Sequence, residues 1–255
     1  MEQPPVIDIQ GLVKKYGDFQ AVGDLCLQVR PGEVFVLLGP NGAGKTTTIR
    51  MLMGILKPTA GRAAILGRDC FADRPEVMRS VGYLPDEPVF YDFLRGRELI
   101  HFVGEMHGLS AEETHRRAGP LVERLGLQDA VEEYAVNYSR GMKKKLALIC
   151  ALCHEPRLLI MDEPTNGLDP LTTRALHEMI RSHAAGGGSV FLSTHLLDQA
   201  EKLCDRVGIL YEGRLAALGG LDELRAQARE GGTLEEIFFR VTSPDETTGT
   251  GGPGR

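Results

Sequence analysis

The stretch Val34-Phe35-Val36-Leu37-Leu38-Gly39-Pro40-Asn41-Gly42-Ala43-Gly44-Lys45-Thr46 decides the fold. Its first five residues are continuously apolar, as a strand buried on both faces of a parallel sheet must be. The eight that follow fit the pattern Gly-x-x-x-x-Gly-Lys-Ser/Thr, and Thr46 to Leu56 reads as a helix, with Gly54 weakening the pattern near its end. Glycines let the backbone fold tightly enough for successive N–H groups to converge on phosphate oxygens. The helix behind them adds its positive N-terminus. Lys45 can reach the β- and γ-phosphates of a nucleotide, and the Thr46 hydroxyl can bind Mg²⁺.

A second apolar strand, Leu158 to Met161, ends in Asp162-Glu163-Pro164. Carboxylates at the carboxyl end of a buried parallel strand sit where such sheets bind ligands. Asp162 is suited to hold Mg²⁺, directly or through water. Glu163, one residue on, points differently and can polarise an attacking water.

Outward from these two strands the pattern alternates. Val6 to Val13 and Leu25 to Val29 read as strands, the second closed by Pro31-Gly32. Residues from about 88 to 153 turn helical: Leu99, Phe102, Val103 and Met106 recur at helical spacing, as do Ala118, Leu121, Val122 and Leu125. Ser139 to Cys153 reads as a third helix. Strands return at 189–192 and 206–210. The expected fold is an α/β phosphate-loop core with a parallel sheet, interrupted by a helical insertion. The segment from Thr242 to Arg255 has no Leu, Ile, Val, Phe or Met and is expected to be disordered.

Composition narrows the function. The net charge is −6, from 29 basic and 35 acidic residues among 255. A nucleic-acid-binding surface normally carries a basic excess, so no nucleic-acid partner is expected. The run Arg140, Lys143, Lys144, Lys145 reads as a solvated helix face, since no aromatic residues interleave with it. The longest unbroken apolar run, Leu146 to Cys153, has eight residues, against the ~20 that a bilayer-spanning helix needs. Without a secretory pattern at Met1 to Pro5, a cytoplasmic chain is expected. Cys150 and Cys153 form a single CxxC among apolar neighbours and read as buried helix cysteines, not as a metal or redox pair.

Three further segments complete a set. Tyr138-Ser139-Arg140-Gly141-Met142 is similar to a Leu-Ser-Gly-Gly-Gln signature, Gly167-Leu168-Asp169-Pro170 to a D-loop, and Ser193-Thr194-His195 to a switch-histidine segment. With the phosphate loop and the acidic strand, in this order, the chain resembles the ATP-binding subunits of ABC transporters over residues 5–241. The resemblance implies an N-terminal antiparallel β subdomain and a helical subdomain at about 88–153. It also implies ATP and Mg²⁺ as ligands, the nucleotide being held by Gly39, Pro40, Asn41, Gly42, Ala43, Gly44, Lys45, Thr46 and Thr47. Tyr16 would stack on adenine, Thr46 and Asp162 would hold the metal, and Glu163 and His195 would act in hydrolysis. Two such subunits, as a homodimer, would close head to tail, with Ser139 and Gly141 of one covering the γ-phosphate of the other and Asp169 in the D-loop between them. A separate integral membrane permease would dock near Asp86 to Leu99, above Phe90, Tyr91 and Phe93, holding the chain at the cytoplasmic face of the membrane.

The sequence departs from the family pattern in places. Gly82-Tyr83-Leu84-Pro85-Asp86 resembles the Q-loop but ends in Asp. Arg140 and Met142 replace Gly and Gln in the signature, and Met142 has no polar group to offer a nucleotide. Such an acidic Q-loop and a Tyr-Ser-Arg-Gly-Met signature are similar to those of stand-alone subunits in the multidrug and type-2 exporter branch; the short tail after Phe239, with no large regulatory domain, is a third departure. The expected function is therefore ATP hydrolysis that powers an exporter. The competing expectations are a non-transport ATPase of translation or DNA maintenance, and a degenerate subunit that binds ATP without hydrolysing it.

Overall fold

The computed structural model describes residues 3–227 and 233–242. The chain opens with two long antiparallel strands, β1 (Ile7–Tyr16) and β2 (Phe19–Val29), before the short buried β3 (Val34–Leu38). The phosphate loop leads into α1 (Lys45–Leu52). Next come β4 (Ala60–Ile65), β5 (Arg68–Asp69), α2 (Arg74–Met78) and β6 (Val81–Leu84). Three helices follow, α3 (Gly96–Met106), α4 (Ala111–Arg124) and α5 (Arg140–Leu152). The chain then alternates through β7 (Leu158–Asp162), α6 (Pro170–Ala185), β8 (Ser189–Thr194), α7 (Leu197–Leu203) and β9 (Arg206–Tyr211). It ends in β10 (Arg214–Gly220), α8 (Leu221–Gln227) and α9 (Leu234–Thr242).

The strands form two sheets. A four-stranded antiparallel sheet has the order β2-β1-β4-β5, and a six-stranded sheet has the order β10-β9-β3-β8-β7-β6. In the larger sheet β3 runs parallel to both β8 and β9, β7 to β8 and β6 to β7, and only the β10 edge is antiparallel. β3, β7 and β8 are buried along their whole length, which is why they read as continuous apolar runs. Phe35 and Phe191 stack across β3 and β8 with ring centroids 5.7 Å apart. One core lies between the two sheets and includes Ile7, Leu25, Phe35, Ile49 and Phe191. The other packs the opposite face of the larger sheet against the helices, through Val36, Leu84, Leu99, Leu146 and Leu176.

Several expected boundaries shift. α1 ends at Leu52, four residues early, because Gly54 adopts a left-handed φ of 62° that stops the helix. β7 extends to Asp162 and β8 to Thr194, so polar residues finish both strands. The expectation for the tail lies outside the described residues beyond Thr242, and Thr242 itself closes α9. Among the described residues no helix is long and apolar enough to cross a membrane. Cys70, Cys150, Cys153 and Cys204 are buried and Cys26 is exposed. Cys150 in α5 and Cys153 at its C-cap are both buried, and burial pushes the Cys153 thiol up to about 11, so the CxxC pair serves as packing.

One expectation is corrected outright. The basic run at the start of α5 is not a single solvated face. A helix turns about 100° per residue, so successive side chains leave in different directions. Arg140 is exposed, and Lys143 and Lys145 lean on Asp92 and Asp169 at 3.7 and 3.8 Å. Lys144 points inward with 1% of its side chain exposed.

Candidate nucleotide site

The parallel register delivers the site. Leu38 of β3 pairs with Thr194 of β8, and Asp162 of β7 pairs with Ser193. The segments starting at Gly39, Glu163 and His195 therefore leave the same carboxyl edge of the sheet side by side, and Gly39 N–H donates to Thr194 O at 3.2 Å.

The phosphate loop winds through left-handed positions at Gly42 (φ 82°) and Gly44 (φ 104°). Its glycines also permit close backbone approach. A Cβ at Gly39 would lie 2.3 Å from Leu210 O, and one at Gly44 would lie 2.5 Å from Ala21 O. No side chain caps the N-terminus of α1 and no acidic residue occupies its first turn. Its leading N–H groups thus face the loop with the positive end of the helix dipole behind them, a cradle suited to a polyphosphate. Lys45 Nζ donates to Gly39 O at 2.7 Å and Pro40 O at 3.1 Å, and lies 3.3 Å from Glu163 Oε1. Thr46 and Thr47 sit half-buried in the first turn of α1.

Asp162 is buried, and the Ser193 hydroxyl donates to its Oδ1. Asp162 in turn contributes, after burial, to pushing the neighbouring Tyr83 phenol up to about 12. Glu163 breaks strand geometry with φ 43°, a left-handed position uncommon outside glycine. Its N–H is held by both the carbonyl and the hydroxyl of Ser193, each at 3.2 Å. The turn swings the Glu163 side chain towards Lys45 on one oxygen and towards His195 on the other, Oε2 lying 2.9 Å from His195 Nδ1. The sequence carries no signal of this backbone strain. Hard oxygen donors on Asp162 and Thr46 suit Mg²⁺ as a ligand set.

The other expected site residues stand around this centre. Tyr16 ends β1 on the hairpin whose return strand brings Ala21 and Val22 against Gly44. The residue is 49% exposed, with Lys14 Nζ 5.1 Å from its ring centroid. Ser139 is the N-cap of α5, its hydroxyl accepting from Met142 N–H at 3.2 Å, and it remains exposed. Met142 packs its side chain on the helical core, which accounts for an apolar residue there. Gly141 passes so close to Gly167 that a Cβ would lie 3.0 Å from Gly167 O. Asp169 caps α6, accepting from Thr172 N–H at 2.9 Å and from its hydroxyl at 2.6 Å. Those bonds, with Lys145 nearby, hold its carboxyl below the usual carboxylate range. Asp86 accepts from Asn166 Nδ2 at 3.1 Å. Sequence reasoning missed Ser193, Asn166 and Lys144. Ser193 had a signal in its place beside His195, whereas Lys144 was masked by its basic neighbours.

A phosphate-loop nucleotide site at the carboxyl edge of a parallel sheet, with two successive carboxylates opposite, defines a P-loop ATPase. The ABC transporter domain pattern matches residues 22–166. The chain is 38% identical over 240 residues to the probable multidrug ABC transporter ATP-binding protein YbhF of Escherichia coli (strain K12), covering 92% of this chain and 41% of that protein. It is also 38% identical to the bacitracin transport ATP-binding protein BcrA of Bacillus licheniformis, over 88% of this chain and 73% of that one. A solved ATP-binding subunit of an ABC transporter superposes with a TM-score of 0.88 at 35% identity, covering 92% of this chain and 99% of that one. The chain belongs to the ABC transporter family, as one of its ATP-binding ATPase domains. It spans less than half the length of the E. coli relative.

Proposed function

We propose that residues 5–241 form the ATP-hydrolysing unit that powers a membrane exporter, with residues 88–153 as its inserted helical part. The observation that carries this is the convergence on Glu163 of Lys45, 3.3 Å from its Oε1, and His195, 2.9 Å from its Oε2, at the mouth of the phosphate loop. Lys45 and the loop amides bind the phosphates and Tyr16 stacks on the adenine. The carboxylate of Glu163 accepts a proton from the water that attacks the γ-phosphorus, and ADP leaves. His195 fixes the second oxygen of Glu163, so the carboxylate is aimed before the reaction begins. Mg²⁺, held by Thr46 and Asp162, would neutralise charge on the phosphate oxygens.

A second copy supplies the rest. Ser139, exposed at the N-cap of α5, and the half-buried Gly141 beside it cover the γ-phosphate bound by the partner subunit, and Asp169 braces the neighbouring loop. The permease, an integral membrane protein, docks on the face where Tyr91 and Phe93 are 58% and 72% exposed and Val89 is 91% exposed. That contact places the chain on the cytoplasmic side of the membrane. The relatives named for multidrug and bacitracin transport support export. Purification from gently solubilised membranes tests the assignment: a polytopic membrane protein that raises ATP turnover is expected. Recovery with ribosomes or DNA instead would sink it.

A further inference from the structure

The strongest unexplained feature is a lysine buried where a solvated one was expected. Lys144 Nζ donates to Asp86 O at 2.8 Å, Glu163 O at 3.0 Å and Pro85 O at 3.1 Å, and reaches Asp162 O at 3.4 Å. The carboxylate of Asp86 lies 3.6 Å away. Taking an ammonium out of water costs several kcal/mol, so a buried lysine persists only where its surroundings supply a full set of acceptors. Here two segments supply them, the loop after β6 and the end of β7 with its following turn, and α5 supplies the lysine that joins the two.

We propose that Lys144 is a positioning residue for hydrolysis, clamping the loop that carries Asp86 to the turn that carries Glu163, with Asp86 as its counter-charge and not as a metal ligand. This rests on the hydrolytic assignment above. The clamp spans the two segments through their main chains, so it fixes backbone positions regardless of the side chains nearby. One carboxylate oxygen of Asp86 is also held by Asn166, whose own segment continues the Glu163 turn. Asp86 is thus tied twice to the same turn, and Arg140 Nη2 lies 4.0 Å from its Oδ1. Burial pushes the Lys144 ammonium below its ordinary range, and the charges of Asp86 and Asp162 oppose that shift. Ser139 opens the same helix little more than a turn earlier. A movement of α5 therefore pulls on the main chain of Glu163 directly. The acidic residue at the end of the Q-loop-like segment has its explanation in this pair: an Asp there matches a Lys here.

The test compares the full chain with Lys144→Met, which keeps length and loses the donors, and Lys144→Gln, which retains an amide donor. ATP turnover of Lys144→Met is expected to fall about 30-fold in kcat with KM within about threefold, as for a misplaced rather than missing group. Lys144→Gln should recover a substantial part of that loss. Hydrogen exchange adds a readout that does not depend on turnover: amides in 84–92 and 162–167 should exchange faster together, while 36–46 stays as in the wild type. Asp86→Asn should leave the Mg²⁺ concentration for half-maximal activity within about twofold, as expected if it makes no direct metal bond. The proposal is overturned if Lys144→Met keeps wild-type kcat, if kcat and KM change in proportion, or if only one of the two segments loosens. A tenfold rise in the Mg²⁺ requirement of Asp86→Asn would overturn the counter-charge role. If Lys144→Met does not fold, Lys144→Gln is measured alone: a smaller fall in kcat with both segments exchanging faster together is expected, and wild-type kcat and exchange would overturn the proposal. A wild-type chain without turnover would remove the hydrolytic assignment, and the exchange experiment would still decide on the clamp.

Discussion

Lys45 Nζ lies 3.3 Å from Glu163 Oε1, so the cation of the phosphate loop and the carboxylate assigned as base neutralise each other across the sheet edge. Both side chains are more than nine-tenths buried, so water screens their attraction less than that of a surface ion pair. An arriving γ-phosphate competes with Glu163 for the same ammonium. Under the proposed assignment, nucleotide binding would free the carboxylate that accepts the proton of water, so the site would be armed by its own substrate.

Lys45→Ala removes the cation from both partners. It also removes the two bonds that hold Gly39 O and Pro40 O. Charge-assisted contacts are the strong ones, so ATP affinity should fall about 100-fold or more. Nucleotide titration of the purified variant checks this, and wild-type affinity would refute the role given to Lys45.

Glu163→Gln keeps the shape and loses the negative charge. Turnover should drop about 100-fold or more, as for a lost general base. ATP affinity should hold or rise, because Lys45 no longer has a carboxylate to leave. Sizing chromatography with Mg-ATP is expected to show about twice the mass of one chain, and adding Ser139→Arg should restore the smaller species by blocking closure. A variant with wild-type turnover would mean that another group is the base.

Gly44→Ala and Gly42→Ala separate strain from crowding in the loop. Both residues have positive φ, but nothing lies within 4 Å of a Cβ at Gly42, whereas one at Gly44 would meet Ala21 O at 2.5 Å. The left-handed backbone alone costs about 1–2 kcal/mol. Gly44→Ala should therefore lose clearly more stability than Gly42→Ala in urea unfolding of the nucleotide-free protein. Equal losses would contradict the loop packing.

The stacked imidazoles of His107 and His154, with centroids 3.6 Å apart, join the end of α3 to the end of α5. Burial first, then the neighbouring His107, holds His154 down at about 4 against an ordinary 6.5. The folded chain thus binds fewer protons than the unfolded one between these values. The stability is complete above pH 6.5 and is lost as pH falls towards 4, by about 3 kcal/mol at about 1.4 kcal/mol per pH unit. Melting curves across pH 4–7 should show the loss, and His154→Gln should flatten it. A variant with the same pH slope as the wild type would assign the effect elsewhere.

Most of the core was legible because burial on both faces writes itself as unbroken apolar runs, as in β3 and β7. The phosphate loop and the Asp162-Glu163 pair were legible because their chemistry needs fixed spacing. β4, β5 and β10 were not, since they are short, partly exposed and rich in Gly, Ala and Arg. The left-handed backbone of Glu163 depends on Ser193, thirty residues away in sequence, and no local pattern encodes it. Lys144 was misjudged for a related reason: composition reports a charge, and only the fold reports which way it points. Asp169 carried a second legible clue, the Asp-Pro that opens a capped helix, beside its motif resemblance.

The distribution of the cysteines makes the unmodified chain a ready substrate for spectroscopy. Four thiols are sealed in packing and only Cys26, on β2, meets solvent. The chain also has no tryptophan. A maleimide dye added at neutral pH will report from the antiparallel sheet alone, and a tryptophan introduced beside the phosphate loop will fluoresce without background. Energy transfer between the two would follow the proposed closure in real time without removing any native cysteine.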